Sequence, residues 1–182
     1  MPRQLYLVRH CKAAGQEPDS PLTTEGTVQA TALAHFLGHL PIDRIVSSPF
    51  LRARASIMPL ARRLDLPIET DARLAERVLA GPDPLPDWLD RLRESFSAPD
   101  LCLPGGESSR TAQARGVAAL QDILAHSAQH TVVVTHGNLL ALLLQHFDSA
   151  YGFEAWQRLT NPDVFAVRVD EDAPAVSRIL PE

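Results

Sequence analysis

Apolar positions along this chain follow two patterns. Residues 4–8 (QLYLV) and 131–135 (TVVVT) run without polar alternation, as strands covered on both faces do. Between them lie stretches whose apolar residues recur three and four apart, the spacing of one helix face. Thr23 or Thr24 caps the first of these, in which Leu33, Phe36, Leu37 and Leu40 share a face before Pro41 ends it. Arg44–Ser47 reads as a second strand. The helix after Pro49 is expected to reach about Leu64, with a kink or break at Pro59. Ile68–Thr70 is a third strand. Residues 80–106 are rich in turn formers around one amphipathic piece, Asp87–Phe96. Ser108 or Ser109 then caps a long helix reaching about Ala128, with Val117, Leu120, Ile123 and Leu124 inward. After residues 130–135 come a His-Gly-Asn turn and another helix. Asp163–Val169 and Val176–Leu180 close the chain as two strands, and Val164–Val169 is a candidate edge strand able to pair with a second copy.

Strands alternating with helices predict an α/β fold, a three-layer sandwich with a mostly parallel central sheet and helices on both faces. With 182 residues and no repeat or long linker, residues 1–182 are read as a single domain. A composition that is 45% hydrophobic and 21% charged supports an ordinary buried core. The net charge of -5 argues against nucleic acid as a partner. No apolar run is long enough to span a membrane and no secretory leader is legible, so the expected location is cytoplasmic. Cys11 and Cys102 are too few for a disulfide framework or a four-cysteine metal site.

Ligands of open α/β sheets bind at the carboxyl ends of the strands. Two strand ends here carry histidine, Val8-Arg9-His10 and Val134-Thr135-His136; a third ends in Ser47-Ser48, with Arg52 early in the following helix. Two imidazoles and two guanidiniums around one pocket suit a phosphoryl group, whose oxygens need several fixed donors. Any one of them alone reads as a surface residue or a satisfied partner. Their recurrence at separate strand ends favours a site. A metal centre fits poorly, because Arg9 and Arg52 would repel a cation.

At these positions the chain resembles the histidine phosphatase superfamily, the phosphoglycerate-mutase-like group. The resemblance is carried by LYLVRHCKAAGQ, SPLTTEGTVQA, IVSSPFLRARAS, LAERVLAG, PGGESSRTAQAR and VVVTHGNLLALL, in that order along nearly the whole chain. It implies the phosphoglycerate mutase-like sandwich and a hydrolase that needs no metal or other cofactor. His10 would be the nucleophile that becomes phosphorylated. Arg9, Arg52 and a protonated His136 would surround the phosphoryl group, and Glu76 would exchange protons with the leaving oxygen and with water. Gln16 and Gly137 fall among the substrate-binding positions. The ligands implied are a small phosphorylated metabolite and inorganic phosphate.

Other readings stay open. Phosphoglycerate mutase-type transfer needs a cover over the site, for which residues 80–106 leave little material. A phosphohistidine or phosphoprotein phosphatase is disfavoured by the segment bearing Glu76, and a non-catalytic phosphate-binding module by the presence of both His10 and Glu76. Glu76 also reads as a solvated partner of Arg73 or Arg77, and Arg54 and Arg115 as exposed helix residues. Cys11 stands where the family usually has glycine; it is either a small packed residue or a thiol activated by the nearby cations. Leu85, Trp88, Leu89 and Leu92 either line a pocket wall or pack down, and packing down is the simpler reading. The physiological substrate and the oligomeric state are not legible.

Overall fold

A computed structural model describes residues 3–170 and 173–180. Six strands form one sheet in the order β3-β2-β4-β1-β5-β6: β1 (Arg3–Arg9), β2 (Arg44–Ser47), β3 (Ile68–Thr70), β4 (His130–Thr135), β5 (Asp163–Val169) and β6 (Ala175–Arg178). The first four are mutually parallel; β5 and β6 pair antiparallel. The mostly parallel sheet is as expected, but β5 lies between β1 and β6 and is not an edge. Strand β6 covers the side on which a second copy would have paired.

The unbroken apolar runs follow from cover on both faces. Side chains alternate across a strand, so Leu5 and Leu7 join one core while Tyr6 and Val8 join the other. Helices α4 (Ser109–Ala125) and α5 (Gly137–Phe147) pack on the first face through Ala112, Ala119, Leu120, Leu139 and Leu143. Helices α1 (Thr24–Leu37) and α2 (Leu51–Leu64) pack on the second through Leu33, Leu37, Ile57 and Leu60. Eight successive residues of α5, Gly137 to Leu144, are buried, which explains why its sequence shows no polar face.

Local chemistry sets the helix ends. The Thr23 hydroxyl accepts from the Gly26 amide and caps α1; the Ser108 hydroxyl accepts from the Thr111 amide and caps α4. Helix α4 stops at Ala125, short of Ala128, and α2 runs unbroken through Pro59. The amphipathic piece after residue 80 becomes α3 (Trp88–Ser97). Helix α6 (Phe153–Gln157) went unread, because five residues are too few to show a helical period.

Register builds the site. Arg9 is opposite Thr135 and Ser47 is opposite Val134, so β1, β4 and β2 end at nearly one level. His10, His136 and Ser48 therefore emerge side by side from three adjacent strands. The loop after His10 is pressed under α1, where a Cβ on Gly26 would lie 2.0 Å from the Lys12 carbonyl oxygen.

Gly26→Ala is expected to lower stability by about 1–3 kcal/mol through this overpacking, and to reduce activity by displacing the loop after His10. Urea unfolding and a phosphatase assay of the folded variant check both effects; an unchanged midpoint would mean that the contact relaxes freely.

Candidate functional site

His10 is held from both sides. Its Nδ1 lies 2.6 Å from the Cys11 carbonyl oxygen, which can only accept, and its Nε2 lies 3.2 Å from Arg52 Nε, which can only donate. The ring must therefore be neutral, with the proton on Nδ1 and the lone pair on Nε2. Burial, together with the Arg52 and Arg9 charges, pushes its pKa down to about 4. The Asn161 side chain donates to the His10 carbonyl at 2.7 Å and fixes the backbone that carries it.

Arg52 is buried and Arg9 half-buried, and among the described residues neither guanidinium has a carboxylate partner in hydrogen-bond contact. Arg52, 1% exposed, donates from Nη1 to the Gln16 and Glu17 carbonyls at 2.9 and 2.8 Å and lies over the Phe50 ring. Arg9 donates from Nη1 to the Leu159 carbonyl at 2.9 Å, while its Nε is buried with no partner. Burial lowers the proton affinity of both, and the Glu76 charge is the largest influence against it. Gly137 leaves room for Arg9: a Cβ there would lie 3.0 Å from the guanidinium, which would have to give by a few tenths of an ångström. Gln16 serves Arg52 through its backbone carbonyl, and its exposed side chain borders the cavity.

His136 is fully buried, with its ring 5.1 Å from that of His10 and its Nε2 2.8 Å from the Ser48 hydroxyl. Its Nδ1 has no partner. Burial first, then His10 and the surrounding arginines, holds its pKa well below the usual histidine value. In the free site this favours a neutral His136 ring over the cation expected from the sequence.

Glu76 is neither a solvated residue nor an ion-pair partner of Arg73 or Arg77. Its two oxygens accept the amides of Asn138, Leu139 and Arg77 at 2.9–3.0 Å, which seats it on the N-terminus of α5 immediately after His136. Arg73 pairs instead with Asp71 and Asp122. Arg115 holds the segment in place by donating to the Arg73 and Ala75 carbonyls and pairing with Glu107, so it is not the exposed helix residue expected. Arg54 is exposed.

Arg9, Gln16, Glu76, Arg77, Gly137 and Asn138 line a cavity of about 520 Å³ together with the apolar Leu79, Trp88, Leu92 and Trp156. His10 and His136 are the chain neighbours of its lining residues Arg9 and Gly137, and Arg52 is hydrogen-bonded to the carbonyl of Gln16. Arg77 escaped the sequence reading: its Nε reaches the Glu107 carbonyl and its Nη1 the hydroxyls of Ser95 and Ser109, tying α3 to α4. Nothing in an isolated "ER" pair marks such a role. Trp88, half exposed, and Leu92, which is buried and packs down, both line the cavity; Leu85 and Leu89 are not among its lining residues. Cys11 has no exposed surface; it packs against α1 and α2, and burial pushes its thiol up to about 11, the reverse of activation. Among the described residues no group of three or more His, Cys, Asp or Glu side chains is arranged to hold a metal ion, and no helix is long and apolar enough to cross a membrane.

Because the unfolded chain binds a proton at His10 near pH 6.5 and the folded one only near 4, stability is expected to fall as pH drops through that window. At 1.36 kcal/mol per pH unit, His10 accounts for roughly 3 kcal/mol of the loss. Urea unfolding at pH 7 and 4.5 should give a clearly smaller difference for His10→Asn than for the parent. Equal differences would mean that folding does not exclude the proton from His10.

A family model described as histidine phosphatase superfamily (branch 1) matches residues 5–180. An uncharacterized protein of Mycobacterium tuberculosis is 35% identical over 80 residues, so the match spans 40% of each chain. A Shigella dysenteriae protein named probable phosphoglycerate mutase GpmB is 29% identical over 184 residues, 92% of this chain and 84% of that one. A mycobacterial glucosyl-3-phosphoglycerate phosphatase superposes with a TM-score of 0.79 at 24% identity, covering 98% of this chain and 97% of the other, which shows a shared fold.

Proposed function

The chain belongs to the histidine phosphatase superfamily, and from that premise we propose that it is a single-domain phosphatase hydrolysing small phosphomonoesters, without a metal ion, through a phosphohistidine on His10. One observation carries this reading: His10 is a neutral imidazole whose Nε2 lone pair faces the site, between two guanidiniums that have no carboxylate in contact.

The chemistry follows in two displacements. Nε2 of His10 attacks phosphorus as the ester P–O bond breaks, and Glu76, acting as the acid, gives a proton to the departing alkoxide. The Glu76 carboxylate then takes a proton from water, the resulting hydroxide attacks phosphorus, the P–N bond breaks and inorganic phosphate leaves. In the free protein Arg52 Nε occupies the lone pair. An arriving phosphoryl oxygen is a stronger acceptor and draws that donor away, freeing Nε2 as the substrate seats. Arg9 and Arg52 stabilise charge that develops on the equatorial oxygens. His136 adds a hydrogen bond, and the incoming dianion offsets the cations that hold it neutral. Gln16 and Gly137 border the substrate, with Gly137 leaving room for the Arg9 guanidinium.

Hydrolysis is favoured over return of the phosphoryl group because two residues that line the cavity, Trp88 (49% exposed) and Gln16, are open to water.

His10→Ala should abolish both turnover and the acid-labile phosphoenzyme trapped from a ³²P-labelled ester, while circular dichroism stays that of the parent. A substantial residual rate would remove His10 from the nucleophile role. Glu76→Gln should slow hydrolysis of alkyl phosphates by about 10²- to 10⁴-fold, the range for loss of a general acid, and slow phosphorylation by p-nitrophenyl phosphate far less. Single-turnover kinetics with both esters checks this; equal losses would take Glu76 out of the acid role.

A further inference from the structure

The cavity's lining combines two kinds of residue. Arg9, Gln16, Glu76, Arg77, Gly137 and Asn138 are polar residues or glycine; Leu79, Trp88, Leu92 and Trp156 are apolar, and the alcohol portion of an ester would extend along them. These are the chain's two tryptophans, and they meet edge to face at 6.3 Å from different helices, α3 and α6. Trp88 is left 49% exposed. A half-exposed indole costs free energy that a bound apolar group would recover.

The wall is braced. Trp156 stacks on Phe153 at 5.4 Å; Phe153 in turn meets the Phe96 ring and the Arg93 guanidinium. Arg77 fixes α3 through the Ser95 hydroxyl. Arg77 is 5% exposed, with Nε and Nη1 engaged by the Glu107 carbonyl and the Ser95 and Ser109 hydroxyls and Nη2 buried without a hydrogen-bond partner. A charged group laid against Leu79, Trp88, Leu92 and Trp156 would lose hydration with no counter-charge from these four side chains. About 520 Å³ lies within the usual range for small-molecule pockets of roughly 300–1,000 Å³.

Resting on the phosphatase reading above, we propose that the site selects phosphomonoesters of alcohols bearing an apolar ring, held against Trp88 and Trp156, over compact esters carrying a second negative charge. The ring takes the place of water on the Trp88 face, while the phosphoryl group sits over His10.

The test compares ethyl phosphate with 2-phenylethyl phosphate, whose alkoxides leave with similar difficulty, and with 3-phosphoglycerate. The expected kcat/KM is roughly 10- to 100-fold higher for the phenylethyl ester than for the ethyl ester, from burial of about one aromatic ring. Trp88→Ala and Trp156→Ala should each bring this ratio towards 1, and Trp88→Phe should retain most of it. Because both tryptophans border the cavity, the hydrolysis-resistant 2-phenylethylphosphonate should shift their emission to the blue, and ethylphosphonate should not. Hydrolysis of ethyl phosphate with no gain from the ring, or a higher kcat/KM for 3-phosphoglycerate, overturns the inference and leaves the phosphatase reading standing. If no ester is hydrolysed, the phosphatase reading falls and the fluorescence titration decides the subsite alone: a shift specific to the phenyl compound supports it, and no shift overturns it.

Discussion

Two guanidiniums held by main-chain carbonyls, Arg52 buried and Arg9 half-buried, are the constraint on which the site depends. A buried cation needs hydrogen-bond acceptors, and a carboxylate would supply them while cancelling the charge. Arg52 instead uses the carbonyls of Gln16 and Glu17, and Arg9 that of Leu159. Carbonyl dipoles orient the side chains and leave the formal charges in place for an anion. The two large cores on either face of the sheet offset the free-energy cost of this desolvation.

That choice propagates outward. The Arg52 Nε–H aimed at His10 fixes the imidazole in one tautomer, and burial first, then the surrounding cations, lowers the proton affinity of both rings. A side chain at residue 137 would crowd the Arg9 guanidinium. The same turn starts α5, whose first amides hold Glu76 beside His136. Arg115 and the Thr135 hydroxyl, which donates to the Leu74 carbonyl, hold the Glu76 segment against the sheet. His10, the two guanidiniums and Glu76 are thus parts of one packed unit. Helices α3 and α6 supply the aromatic wall, and Arg77, whose amide donates to Glu76, ties α3 to that unit through Ser95.

Much of this was legible in the chain itself. The doubly apolar runs at 4–8 and 131–135 determined buried parallel strands, because only a sheet covered on both faces calls for them. Arg9-His10, Arg52 and His136 stood out because cations and imidazoles are poor core residues, and here they follow strand-forming runs at three places. Cap residues marked the starts of α1 and α4, since a hydroxyl before a helix satisfies an otherwise free amide.

Only the tertiary structure decided the rest. Whether Glu76 met solvent, an arginine or a helix end depended on where β3 delivered it relative to α5, a contact across sixty residues that no local pattern encodes. The protonation of His136 depended on how deeply it was buried and how many cations faced it, which is a sum over distant residues. Cys11, a candidate reactive thiol in the sequence, became a core residue because α1 and α2 close over it. Trp88 and Trp156 lie far apart in the chain and meet only because a five-residue helix, too short to show a period, folds back against α3. Residue types and spacing specified the elements and the reactive groups; the packing of distant elements set each group's charge, partner and exposure, because those quantities are properties of neighbours in space.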